Sequence, residues 1–167
     1  MHQVIYEPIG IIHSAFKDKE STPIQGIYDP ESIGEVEIFP QYLDGLKDVA
    51  GFSHLILVYH FHLAEGFSLI TTPFLDNAGK GIFSIRHFNR PNSIGLSVVR
   101  LEKVEGCILT IGEVDIIDGT PLLDIKPYIP EFDARAGKNV RKGWFERAAN
   151  EMEYKLKKGR QKRLEDC

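Results

Sequence analysis

The sequence predicts a mainly β protein, a single small antiparallel β-barrel followed by a C-terminal amphipathic helix. Three observations carry this. Six or seven short apolar segments recur within residues 1–133. No segment of helical period long enough to act as a parallel crossover separates them. Gly, Pro, Asn and Asp punctuate the intervals, as turns between short strands require. Closing such a set into a barrel removes the exposed edges that an open sheet would leave.

In chain order, Val4–His13 places Ile5, Ile9 and Ile11 at period two, with Pro8 confining part of it to an edge or a bend. Glu35–Phe39 alternates two glutamates with Val36 and Ile38, the pattern of a strand with one wet face. Tyr42–Val49 spaces Leu43, Leu46 and Val49 as a short helix would, interrupted by Gly45. Leu55–His62 is an unbroken apolar and aromatic run, read as a strand covered on both faces. Gly81–Ile85, Ile94–Val104 and Cys107–Val114 follow, with Glu105-Gly106 as a hairpin turn, and Leu122–Ile125 is the last apolar piece before Pro127 and Pro130. Three intervals, Ser14–Ile33, Ala64–Lys80 and Arg86–Ser93, are too long to be simple turns and are expected to carry function or to be disordered. Beyond residue 133 the period changes: Phe145, Ala148, Ala149, Met152 and Leu156 fall on one helical stripe, ahead of a lysine- and arginine-rich end.

Composition excludes several classes. With 43% hydrophobic and 26% charged residues, a chain of 167 residues can bury a core. No apolar run approaches the roughly 20 residues that cross a bilayer, and the first residues lack a signal-peptide pattern, so a cytoplasmic protein without membrane contact is expected. Cys107 and Cys167 make neither a disulfide framework nor a zinc knuckle. The net charge of −4 conceals two unlike pieces. Residues 1–133 hold 9 Lys/Arg and 19 Asp/Glu, a net −10, whereas residues 134–167 hold 11 and 5, a net +6. The expected organisation is therefore a barrel domain over 1–133 and a basic helical tail over 134–167. The tail's positive end suits a docked helix terminus or contact with RNA phosphates.

Several motifs bear chemistry. His54, His60 and His62 share strand parity, and the His60/His62 pair is the best metal signal, yet no third ligand follows at a recognisable spacing. Arg86–Ser97 puts two arginines, a proline-stiffened turn and Asn92 directly before a strong strand, an arrangement suited to a carboxylate, a phosphate or a stacked base. Asp118-Gly119-Thr120-Pro121 joins an acceptor to a permissive turn, and Asp124, Lys126 and Tyr128 lie just beyond. A P-loop, a G-x-G-x-x-G cofactor turn, a G-x-S-x-G elbow and an H-E-x-x-H helix are all missing.

Taken in order, Ile9–Ser14, Pro23-Ile24-Gln25, Gly51–Leu55, Tyr59–His62, Arg90–Ser97 and Asp118–Pro121 with Asp124–Tyr128 resemble the TsaA-like/TrmO family of tRNA methyltransferases across residues 5–133. The resemblance implies a non-Rossmann barrel, forming a homodimer, that uses S-adenosyl-L-methionine and needs no metal. It implies methyl transfer to N6 of N6-threonylcarbamoyladenosine beside the tRNA anticodon. By position the cofactor contacts fall on Pro23, Ile24, Gln25, His62, Leu63, Arg86, Leu96, Asp118, Gly119 and Thr120. Arg86 or Arg90 is suited to a threonyl carboxylate or a phosphate, and Asn92 to a base edge. His60, His62, Asp118 and Tyr128 are the candidate proton handlers, because partial removal of the acidic N6 proton is the useful catalytic act. The chain departs from the family pattern at Phe88 and Ser93, where prolines are usual. Two rivals stand beside this reading: a metal-dependent hydrolase built on His60 and His62, and a non-catalytic RNA- or nucleotide-binding barrel.

Overall fold

The computed structural model describes residues 3–135 and 139–148. Six strands close into an antiparallel barrel, as the alternating segments predict. In chain order the strands are β1 (Gly10–Ser14), β2 (Ile33–Ile38), β3 (His54–His60), β4 (Ile70–Thr71), β5 (Lys80–Gly81), β6 (Ile94–Glu105), β7 (Ile108–Gly112) and β8 (Thr120–Pro127). Around the barrel the order is β1-β2-β7-β6-β3-β8, and β4 pairs with β5 separately.

Closure depends on β6. Its first half pairs with β3, from Ile94 opposite His60 to Arg100 opposite His54, while its second half pairs with β7, from Arg100 opposite Gly112 to Glu105 opposite Ile108. A register shift between Leu101 and Lys103 lets one strand serve both neighbours, as a bulge does by adding bend and twist. The β6–β7 hairpin turns at Gly106 and Cys107, one residue later than expected, with Gly106 at φ 58°. β1 closes the cylinder between β2 and β8.

The lumen is full. Ile12, Val36, Ile38, Leu55, Leu57, Tyr59, Val99, Leu109, Ile111, Val114, Ile116 and Leu122 form one buried cluster. Alternation places Gly95, Ser97 and Val99 inward on β6 and leaves Ile94, Leu96 and Val98 on its outer wall. Gly95 is an inward position because the Tyr59 ring lies across it: a Cβ there would stand 2.1 Å from Tyr59 Cε2.

Elsewhere the local reading shifts. The apolar spacing at Tyr42–Val49 yields two 3₁₀ turns, Pro40–Leu46 and Val49–Gly51, rather than an α-helix. Pro40 at the entrance and Asp48 at φ 66° break the run. Gly81–Ile85 is strand only at its first residue and continues as a 3₁₀ turn over Ile82–Ser84. The first strand begins at Gly10, beyond Pro8, and the last extends from Thr120 to Pro127, longer than its apolar centre.

Two compact units divide the chain. The barrel lies in Met1–Gly66 with Phe88–Asp133, and the other unit is Phe67–His87 with Ala134–Cys167. Within the latter, Ile82 is fully buried, Lys80 pairs with Asp76 at 2.9 Å, and Trp144 Nε1 donates to the Ser84 carbonyl at 2.8 Å. Residues 145–148 form a helical turn. The remainder of the expected amphipathic helix and its basic end, residues 149–167, lies outside the described residues.

Gly95→Ala is expected to displace the Tyr59 ring and to cost about 1–3 kcal/mol by overpacking, lowering the thermal midpoint by several degrees. Gly45→Ala is the control, since nothing lies within 4 Å of its added Cβ, and its midpoint is expected to stay near wild type. Calorimetry of both variants checks this.

Candidate functional site at one end of the barrel

Strand direction decides which candidate residues meet. In an antiparallel barrel of this order, the C-terminal ends of β1, β7 and β3 and the N-terminal ends of β2, β6 and β8 lie at the same end. Pro23, Ile24 and Gln25 belong to the β1–β2 loop, His62 and Leu63 follow β3, Leu96 begins β6, and Asp118 and Gly119 lead into Thr120 of β8. The topology therefore brings nine of the ten expected cofactor contacts to one rim. The tenth, Arg86, belongs to the other unit. Arg90 and Asn92 stand just before β6, where the Ile94 N–H donates to the Asn92 carbonyl and the Phe61 N–H to the Ser93 carbonyl.

The rim is crossed by residues 113–118. Val114 and Ile116 are fully buried or nearly so. Ser32 Oγ donates to the Val114 carbonyl and Ser14 Oγ to the Ile116 carbonyl, at 3.0 and 2.6 Å. Because the lumen is filled and this segment covers its end, a ligand has to sit on the rim and outer wall. Exposed aliphatic residues there include Ile24, Leu63 and Leu96, at 48, 55 and 57%. Gly119 adds bare backbone at φ 75°, with open space where a Cβ would stand.

Asp118 is tightly held. It accepts from the Ser14 N–H at 3.1 Å and from Lys17 Nζ at 2.6 Å, and His13 Nδ1 lies 3.7 Å away. The Lys17 hydrogen bond, followed by that of the Ser14 amide, holds its pKa below the usual carboxylate value against some desolvation. Asp118 is thus a fixed anion and a weak base. His62 is the better proton acceptor. Thr120 Oγ1 gives its one proton to the Ile117 carbonyl at 2.6 Å, so toward His62 Nδ1, at 3.3 Å, it presents a lone pair. That network assigns the proton to Nδ1 and leaves the lone pair on Nε2. Burial and then the neighbouring His60 lower the His62 pKa, with Asp118 opposing them, so the imidazole is neutral at pH 7.

Other expected residues are set apart. Tyr128 follows the far end of β8, its ring 6.2 Å from that of His54, which starts β3. Both are a strand's length from Thr120. His60 ends β3 with an exposed side chain, whereas His62 lies past the strand, with its Nδ1 3.3 Å from Thr120 Oγ1. Among the described residues, no three of His, Cys, Asp and Glu gather as a metal site would require. A cavity of about 560 Å³ opens at the opposite end of the barrel, lined by Ile9, Ile38, Tyr42, Leu46, Asp124 and Ile125 among others, and contains none of the expected cofactor contacts.

Phe88 has a structural use that its departure from the family pattern does not reveal. Its ring packs edgewise on Phe61, 6.5 Å between centroids, and Lys19 Nζ lies 5.2 Å from its centre. Asn89 Oδ1 accepts from the Glu65 N–H at 3.2 Å. One residue escaped the sequence reading: Asp115, whose carboxylate joins the Gly26 amide to Ser97. Its only sequence signal is a lone acid between Val114 and Ile116.

The lowered pKa of Asp118 carries a sign. Its contribution to stability is present above the unfolded value near 3.8 and is lost as pH falls through the lower folded value. Urea unfolding of Asp118→Asn is expected to show reduced stability at pH 7 and a shallower loss below about pH 4 than the wild type. Parallel pH curves for the two proteins would remove this role.

Comparison with known proteins places the chain. Residues 11–134 match the model of the tRNA-methyltransferase O N-terminal domain. A probable S-adenosyl-L-methionine-binding protein of Pyrococcus abyssi is 50% identical over 157 residues, covering 94% of this chain and 84% of that one. The human tRNA (adenine(37)-N6)-methyltransferase is 38% identical over 138 residues, 78% of this chain but 31% of its own. The crystal structure of TrmO from Pseudomonas aeruginosa superposes with a TM-score of 0.72 at 38% identity, covering 85% of this chain and 62% of that one. The chain thus spans most of the archaeal relative, under two thirds of the bacterial structure and about a third of the human protein. It shares fold and sequence with this group, and it belongs to the tRNA-methyltransferase O N-terminal domain family.

Proposed function

We propose that this protein is an S-adenosyl-L-methionine-dependent tRNA methyltransferase that methylates N6 of N6-threonylcarbamoyladenosine beside the anticodon. The observation that supports it most is the convergence of Pro23–Gln25, His62–Leu63, Leu96 and Asp118–Thr120 on one end of a barrel whose lumen is closed to ligands. The donor set fits an adenosyl sulfonium: exposed aliphatic side chains for the adenine, open backbone at Gly119 and the fixed Asp118 anion for the positive charge. S-adenosyl-L-methionine, when bound, supplies the methyl on an already activated sulfonium, so no metal is needed to polarise it.

The chain's own task is to place and deprotonate the acceptor. An adenine exocyclic amine is a weak nucleophile, and the carbamoyl group both withdraws its lone pair and acidifies its proton. Orientation and a proton acceptor are therefore the useful contributions. Neutral His62, with its lone pair on Nε2, is the acceptor we assign. Arg90 and Asn92, at the entrance to β6, are assigned to the threonyl carboxylate and the carbonyl edge. Asp118 keeps its charge, and Tyr128 takes no part because it lies at the other end. We assign residues 1–133 to the catalytic barrel and residues 134–167 to a basic appendage that meets tRNA phosphates. We assign a second copy of the chain to the outer wall of β6, where Ile94 and Val98 are exposed beside Ile56 and Val58.

Incubation with methyl-labelled S-adenosyl-L-methionine is expected to label tRNA from cells that make threonylcarbamoyladenosine and not tRNA from cells that cannot. Equal labelling would move the acceptor to ordinary adenine, and no labelling with no donor binding would leave an RNA-binding barrel. For the assembly, Val98→Glu is expected to halve the sedimenting mass. A wild type that already sediments as a monomer would remove the second copy.

A further inference from the structure

We propose that Asp115 is the positioning residue of the methyl-donor loop, fixing Pro23–Gln25 on the rim and thereby setting affinity for the donor rather than the rate of transfer. The inference rests on the reading above for what the loop binds, but the anchor itself is a matter of hydrogen bonds. Gly26, next to Gln25, donates its N–H to Asp115 Oδ2 at 3.1 Å, across 89 residues of sequence. Ser97 Oγ donates to Asp115 Oδ1 at 2.6 Å, and Ser97 in turn lies 3.0 Å from the Tyr59 hydroxyl. Since the serine's proton goes to the carboxylate, the tyrosine donates to Ser97. One carboxylate thereby ties the loop to β6 and, through β6, to β3.

The peptide bond transmits the restraint. Gln25 C=O and Gly26 N–H share one rigid plane, so holding the N–H aims the last peptide of the Pro23–Gln25 segment. Gly26 has no alternative seat, because its backbone lies so close to Glu113 that a Cβ would stand 1.7 Å from the Glu113 carbonyl oxygen. A second clamp acts further along the same loop. Arg100 donates from Nη1 to Glu113 at 3.0 Å and from Nη2 to the Pro30 carbonyl at 3.2 Å. The loop is thus held at Gly26 and at Pro30, and Pro23–Gln25 lies immediately before the first of these points.

A carboxylate is required because it accepts from two donors at once. Asn has the same shape but only one acceptor oxygen, so its amide would face one of the two donors with a second donor. In Asp115→Asn, the Gly26–Tyr28 amides of the ligand-free protein are expected to exchange hydrogen about tenfold faster, while amides of the barrel core keep their protection. The Kd and KM for S-adenosyl-L-methionine are expected to rise about tenfold with kcat at saturation within about twofold. Gly26→Ala leaves the carboxylate in place but pushes the loop off Glu113, and is expected to give the same split even if Asp115→Asn does not fold. Unchanged exchange at Gly26, or a kcat that falls as far as kcat/KM, would overturn the proposal. A wild-type protein that binds no S-adenosyl-L-methionine would instead overturn the reading of what the loop holds, with the exchange experiment still deciding the anchor.

Discussion

A six-stranded barrel is too narrow to hold both a core and a ligand, and this one has spent its interior on the core. Tyr59 is the pivotal side chain. It faces inward from β3, lies flat across Gly95 and reaches Ser97 with its hydroxyl. That packing fills the interior and leaves the rim loops as the place where the candidate residues gather. The long loops are consequences of a filled cylinder, since only segments outside it can build a concave site.

The rim is organised by charge as well as by connection. The acidic body supplies Asp115 and Asp118, and each is assigned a different task by its partners. Asp118 is ion-paired with Lys17, which keeps it ionised, and is fastened to the Ser14 amide, which fixes the start of β8 against the end of β1. Asp115 accepts from a backbone amide and a serine and so holds a loop. His62 differs from both: burial, and after it His60, holds its pKa below the usual imidazole value, and Thr120 orients one of its nitrogens.

Much of this was legible in the chain itself. The period-two run at Glu35–Phe39 and the unbroken apolar run at Leu55–His62 both indicated strands, because each is a short-range pattern that needs no tertiary information. The Arg90–Ser97 and Asp118–Thr120 motifs mark two segments that strand direction carries to the same rim. Other readings failed for local reasons. Leu43, Leu46 and Val49 are spaced like a helix, yet Pro40, Gly45 and the left-handed Asp48 leave only 3₁₀ turns. His60 and His62 share parity, yet β3 ends at His60, and only His62 meets Thr120. Tyr128 is close to Asp118 in sequence but is separated from it by the length of β8.

The sequence by itself determined the class of fold, the hairpin, the division of charge and the family motifs, because each depends on short-range pattern or on residue identity. Tertiary structure alone decided which motifs meet. Strand order and direction gather four distant segments at one end and send Tyr128 to the other. The split pairing of β6 closes the cylinder and brings Ser97 beside Asp115. Asp115 is the clearest case: an acid between two buried aliphatics carries no pattern of its own, and its two donors, Gly26 and Ser97, are fixed only when the barrel closes.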